Sequence, residues 1–126
     1  RGNGNRKLAG FEDPNCPYCK RFEKDLQKVN NVTVHLFLIP ILGPDSVEKS
    51  RQIWCSADKA KAWSDWMQRD VAPKGNGSCN TDALTTNLDF ARKYRITGTP
   101  TLVFESGTRV PGAINSQQVE ELFARK

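Results

Sequence analysis

The chain has no apolar run long enough to cross a bilayer. Its longest, Leu36 to Ile39 with Ile41 and Leu42 beyond Pro40, is strand-sized, whereas a membrane span needs about 20 residues. The polar start, Arg1-Gly2-Asn3-Gly4-Asn5-Arg6-Lys7, lacks the apolar core of a secretory signal; it suits a chain whose export signal has been removed, or a domain that follows a linker. Internal repeats and low-complexity segments are lacking too. The net charge is +5 and the pI near 9.2, but Lys and Arg are scattered beside Glu and Asp with no aromatic-interleaved basic run, so the footprint of a nucleic-acid surface is missing. There is one histidine, His35, which reads as a sheet residue with no catalytic role.

What is present is ordinary globular material. At 126 residues, with 37% hydrophobic and 26% charged side chains, the chain has the size and composition of one domain that folds around a single core. Lys7 to Phe11 reads as a first strand, with Gly10 odd inside it and Glu12-Asp13-Pro14-Asn15 as the following loop. From Cys16 to Val29, Phe22, Leu26 and Val29 recur at helical spacing; Asn15 is placed to cap this helix and Pro17 suits its first turn. Val32 to Ile39 is apolar on both faces and suits a central strand covered on both sides.

After Gly43-Pro44-Asp45 the periodicity predicts a helical insertion in two parts, with Val47, Ile53 and Trp54 on one face, a break near Asp58, then Ala62, Trp63, Trp66 and Met67. Val71 to Asn80 is a loop, and Asp82 to Tyr94 a helix with Leu84, Leu88, Ala91 and Tyr94 inward. Thr101 to Glu105 and Thr108 to Val110 make a hairpin around Ser106-Gly107. Asn115 and Gln118 resemble a capping box for a last helix buried through Val119, Leu122 and Phe123. The order β-α-β-helices-β-β-α predicts an α/β fold with a mixed central sheet flanked by helices on both faces.

The four cysteines occur in two spacings. Cys16 and Cys19 form Cys16-Pro17-Tyr18-Cys19 at a helix N-terminus, whose free amides and positive dipole end favour a thiolate at Cys16. Cys19, one turn on, is placed to attack a mixed disulfide formed at Cys16. The competing reading of a C-x-x-C is half a zinc site, which needs a second close pair; Cys55 and Cys79 stand far apart and supply none. Haem attachment would require His where Lys20 stands. As an even remainder, Cys55 and Cys79 suggest a structural disulfide and hence an oxidising compartment; closing that loop stabilises a fold by roughly 3–4 kcal/mol in the chain-entropy model. No cofactor and no metal is called for. Gly98-Thr99-Pro100-Thr101, just before a strand, gives Pro100 a position where a cis bond leaves the preceding backbone free to pair with an extended chain.

These landmarks together resemble the thioredoxin superfamily: Asp13-Pro14-Asn15-Cys16-Pro17-Tyr18-Cys19-Lys20 with Gly98-Thr99-Pro100-Thr101. Within it the chain is most similar to the catalytic domain of periplasmic disulfide isomerases of the DsbC/DsbG type, through Ile53-Trp54-Cys55-Ser56, Ala72-Pro73 near Cys79, and Gly107-Thr108 leading to Val110-Pro111-Gly112. The resemblance covers nearly the whole chain from Lys7, so residues 7–126 are expected to form the domain and residues 1–6 a linker or remnant. It implies Cys16 as the exposed attacking thiol and Cys19 as the resolving thiol. It also implies Thr99 and a cis Pro100 facing them as the substrate-binding edge, and a Cys55–Cys79 disulfide. It implies periplasmic residence, misoxidised exported proteins as substrates, and re-reduction by a membrane electron-transfer reductase of the DsbD type.

Two departures stand out. Thioredoxin-like reductases often carry a buried acid on the strand before the motif, where this chain has Gly10, and Glu12 and Asp13 lie near the loop. Relatives of this type also dimerise through an N-terminal domain and a linker helix, and nothing before Lys7 can form either. The motif supports reduction or isomerisation of disulfides, and equally net thiol oxidation, since direction is set by potential; a thioredoxin-fold module that only grips peptides is the third reading.

Overall fold

The computed structural model describes residues 4–125; Arg1, Gly2 and Asn3, three of the six residues expected to precede the domain, and Lys126 lie outside it. Strand β1 (Arg6–Glu12) leads into helix α1 (Pro17–Leu26), then β2 (Val32–Leu38), helices α2 (Pro44–Trp54), α3 (Lys59–Arg69) and α4 (Asp82–Lys93), the strands β3 (Thr101–Phe104) and β4 (Arg109–Pro111), and α5 (Ser116–Ala124). The sheet order is β2-β1-β3-β4. β1 pairs parallel with β2, Leu8 opposite Val34, and antiparallel with β3, Gly10 opposite Leu102. The fold is α/β with a mixed sheet, as expected. No helix among the described residues is long and apolar enough to cross a membrane.

Strand alternation divides the core into two faces. Leu8 of β1 packs with Phe22 and Leu26 of α1, Leu102 and Phe104 of β3, and Val119 of α5. Phe11, pointing the other way, packs with Ile39, Ala91 and Ile96 beneath α4. Burying a side chain such as Phe22 or Leu26 stabilises the fold by about 1.5–3 kcal/mol. A third cluster joins Cys16, Cys19 and Leu38 to Ile53, Trp63 and Met67 of the helical insertion and Leu84 of α4, so the two thiols lie where the insertion meets the sheet. At the C-terminal end, Asn115 and Gln118 form a reciprocal capping box, with both bonds at 2.9 Å.

Several local expectations are corrected. β2 is an edge strand, since it pairs with β1 alone; His35 and Phe37 are exposed, and Phe37 lies on the α4 side of the sheet, stacked on its cross-strand neighbour Phe11. The N-cap of α1 is Cys16, not Asn15, whose side-chain amide instead donates to the Asp45 carboxylate and the Ser46 hydroxyl. In α2 the buried face is Ser46, Ser50 and Ile53 while Val47 is exposed, because small side chains let this helix approach the loop before Cys16. Tyr94 lies past the last turn of α4 and is exposed; Arg95 then turns the chain through a left-handed conformation, φ 57°. β1 begins at Arg6, whose guanidinium pairs with Glu120 of α5.

Candidate active site

The loop between β1 and α1 is held by one side chain. Asp13 is fully buried, and its carboxylate accepts from the amides of Asn15 (2.7 Å), Ile41 (2.8 Å) and Leu42 (3.0 Å) and from the Ser46 hydroxyl (2.8 Å). Four donors fill the acceptor sites of a carboxylate. They join three segments: the loop itself, the stretch after β2, and the first turn of α2. The Asp13 carbonyl accepts from the Cys16 amide at 3.2 Å. A second tie comes from α3, where the Trp66 indole N–H donates to the Pro14 carbonyl at 2.6 Å. Lys20 and Lys49 place their ammonium groups 3.9 and 4.9 Å from the Trp66 ring centroid, so α1, α2 and α3 meet on one indole.

Cys16, set by these ties, caps α1 with extended backbone and no side-chain cap bond, which leaves the first-turn amides beside its sulfur unspent. Its Sγ lies 3.4 Å from the Thr99 carbonyl oxygen. The Thr99–Pro100 bond is cis, and Pro100 is buried with its carbonyl accepting from Gly112 at 2.8 Å. Cys16 is not exposed as expected: it is 4% exposed, against 0% for Cys19. Thr99 and the packing of the insertion cover it, while Pro17 and Tyr18 of the motif stand out in solvent. Both thiols are free. The structure thus brings Cys16, Cys19, Thr99 and Pro100 together.

Beneath them lies an acid that the sequence offered at the wrong position. Glu12, not residue 10, supplies the buried carboxyl, and it is 0% exposed. Residues 10 and 12 share a face of β1, and a Cβ on Gly10 would lie 3.0 Å from Glu12 Oε2. Gly10 therefore leaves the space into which the Glu12 carboxyl folds back. Neither Glu12 oxygen meets an N–H or hydroxyl donor; it faces the buried carboxyl of Glu23 on α1. Two carboxyl groups bond only when one holds a proton. Burial first, then the Glu23 charge and the hydrogen bond to Glu23, with a smaller effect of Cys16, hold Glu12 well above the usual carboxylate range. Cys19 is shifted the same way: burial, then the Glu12 charge, push its thiol far above the ordinary cysteine value, against opposing hydrogen bonds at Asp13 and Thr99. Cys19 is thus held protonated, like Glu12 near it.

Cys55 and Cys79 are bonded, with S–S 2.00 Å and Cα–Cα 5.6 Å. The bond ties the C-cap of α2 to the loop before α4, where Trp54 also donates to the Asn80 carbonyl at 3.2 Å. Among the described residues no group of three or more His, Cys, Asp or Glu side chains is arranged to hold a metal ion. Glu23 and Trp66 carried no signal in the sequence as site residues; Asp13 stood in the motif but its clamp role did not show, and for Glu12 the signal was a glycine two residues before an acid on one strand face.

The model of the thioredoxin-like domain family matches residues 1–125. The chain is 45% identical over 121 residues to the probable thiol:disulfide interchange protein DsbC of Bordetella pertussis, a match covering 95% of this chain and 42% of that protein. It is 34% identical over 121 residues to the thiol:disulfide interchange protein DsbC of Escherichia coli, covering 92% of this chain and 50% of that protein. The chain thus spans half or less of the length of these relatives. A disulfide interchange protein from Neisseria gonorrhoeae superposes with a TM-score of 0.93 at 40% identity, covering 99% of this chain and 90% of that one.

Proposed function

We propose, from the premise that the chain belongs to the thioredoxin-like family, that it exchanges disulfides through Cys16 and Cys19, reducing or isomerising non-native disulfides in exported proteins. The observation that carries this reading is the stack at the start of α1: Cys16 Sγ against the Thr99 carbonyl, Cys19 sealed beneath it, and the Glu12–Glu23 carboxyl pair beneath Cys19. The Cys16 thiolate attacks one sulfur of a substrate disulfide. A mixed disulfide forms, and the departing substrate sulfur takes a proton.

Two outcomes follow from that intermediate. In reduction, Cys19 gives its proton to the carboxyl pair and attacks Cys16 Sγ, releasing the second substrate thiol and leaving a Cys16–Cys19 disulfide. In isomerisation, a substrate thiol attacks the mixed disulfide, and Cys16 leaves unchanged with no net electron transfer. Thr99, beside the reacting sulfur, is the backbone edge for the substrate strand.

The oxidised pair then needs an outside dithiol, for which a membrane reductase of the DsbD type is the proposed partner, in the periplasm. The Cys55–Cys79 bond fits an oxidising compartment. Dimerisation through an N-terminal domain belongs to the parent protein in this reading, with residues 7–126 as the catalytic arm. Replacing Cys19 by Ser should leave substrates trapped on Cys16, and replacing Cys16 by Ser should abolish trapping and turnover together. Adducts accumulating on Cys16→Ser at the rate seen with Cys19→Ser would refute the assignment.

A further inference from the structure

Helix α4 covers only part of the sheet face that carries Phe11. It ends at Lys93, and the chain then turns away through Arg95. Beside its last turns a cavity of about 440 Å³ stays open, walled by Phe11, Phe37, Phe90, Tyr94, Val103 and Arg109. Ala9, which faces Val103 across β1 and β3, is too small to fill it. The rings along the wall are ordered. Phe11 stacks on Phe37 with centroids 5.0 Å apart and planes at 17°, and on Phe90 at 5.6 Å and 2°; Phe90 meets Tyr94 at 4.5 Å. Yet Phe37, Phe90 and Tyr94 are 37%, 46% and 49% exposed. Exposed apolar side chains scattered singly need no explanation, whereas a continuous aromatic wall around a cavity of ligand size marks a binding site.

The rim adds charge. The Arg109 guanidinium donates to the carbonyls of Tyr94 at 2.7 Å and Arg95 at 2.8 Å, which fixes it at the end of α4. Both acceptors are uncharged and leave most of its N–H donors over, and among the described residues no carboxylate pairs with it. The Lys93 ammonium lies 5.5 Å from the Tyr94 ring centroid, while Asp89 of α4 is already paired with Arg92. We infer that this cavity binds a flat aromatic anion, a molecule of about two rings bearing a carboxylate or sulfonate, whose ring extends the row of phenyl rings while its charge meets Arg109. A row of near-parallel rings selects a flat ring by offset stacking, and a guanidinium already held in place adds a charge-assisted bond at little ordering cost. Cys16, Cys19, Thr99 and Pro100 do not line the cavity, so the site stands apart from the thiols and does not depend on the exchange reading.

The probes are 1-anilinonaphthalene-8-sulfonate and N-phenyl-1-naphthylamine, which carry the same rings with and without the sulfonate. Fluorescence titration should show one saturable site per chain for the sulfonate and about tenfold weaker binding of the uncharged amine, the size of a charge-assisted hydrogen bond. Arg109→Gln should bring the two probes within about twofold of each other, with Arg109→Lys between. Phe90→Ser should weaken both by about tenfold or more, as for loss of an aromatic contact surface. In amide spectra of the unaltered protein, saturating sulfonate should shift Phe37, Phe90, Tyr94 and Arg109 and leave Cys16 and Thr99 in place; this arm needs no substitution, so a variant that fails to fold leaves the test standing. Equal affinity for the two probes in the unaltered protein, a sulfonate preference kept in Arg109→Gln, undiminished binding in Phe90→Ser, or shifts centred on Cys16 and Thr99 would each overturn the site.

Discussion

Glu12 and Asp13 are consecutive, both acidic and both fully buried, yet their surroundings are opposite. Asp13 turns into a loop crossing, where four donors converge on it. Glu12 turns under the sheet, where the group facing it is another carboxyl. The first arrangement favours a structural clamp, because every acceptor site is filled. The second favours proton traffic, because neither carboxyl can ionise without raising the cost of ionising the other. Burial alone therefore says nothing about the role of an acid; the supply of donors decides it.

The same chemical change at the two positions should give opposite signs. Asp13→Asn turns an amide NH2 toward groups that themselves donate, and should cost about 3 kcal/mol of stability, read from urea unfolding. It should also loosen the Ile41–Leu42 segment and the start of α2 together, seen as faster amide exchange at both. A variant as stable as the parent would show that the clamp is redundant.

Glu12→Gln removes an ionisable group from a site that disfavours its charge, and its NH2 can donate to Glu23. For a carboxyl raised in the folded state, the native protein holds the proton after the unfolded chain has lost it. Stability is then greatest below the unfolded value and falls as pH rises from there toward the folded value. Glu12→Gln should flatten that fall and make the protein more stable than the parent at alkaline pH, while slowing the resolving attack of Cys19 by about 10²-fold through loss of the proton acceptor. Trapping on Cys16 should be slowed far less than resolution. A destabilised Glu12→Gln with normal resolution would make Glu12 a structural acid like its neighbour.

The smallest effect is expected at the second tie on the Asp13 side. Trp66→Phe keeps a ring for Lys20 and Lys49 but leaves the Pro14 carbonyl without its indole donor, a change of about 1 kcal/mol. The readout that separates positioning from packing is the alkylation rate of Cys16 against pH. It should change in Trp66→Phe, because the loop that presents the sulfur shifts, and a profile identical to the parent would leave Trp66 a packing residue.

Much of this was legible in the chain itself. The C-x-x-C before a helix with Phe22, Leu26 and Val29 at helical spacing, the Gly98-Thr99-Pro100-Thr101 stretch before a strand, and the two-part insertion broken near Asp58 each depend on patterns within a few residues. So does the capping box at Asn115. The edge position of β2 was not legible, because apolar side chains report which faces of a strand are covered and not whether its backbone pairs on one edge or on both.

Local chemistry thus determined the elements, the motif and the reactive residue types, since propensity, periodicity and capping act over one or two turns. The tertiary structure alone decided how the acids divide their labour and how deep the thiols lie. Gly10 is an anomaly in a strand until the Glu12 side chain is seen folded over it. Glu23 is one more helix acid until α1 packs against β1. Asp13 is a loop residue until Ile41, Leu42 and Ser46, about 30 positions away, bring their donors to it. Protonation and hydrogen-bond satisfaction depend on which groups meet in space, and those meetings are set by the packing of helices on the sheet.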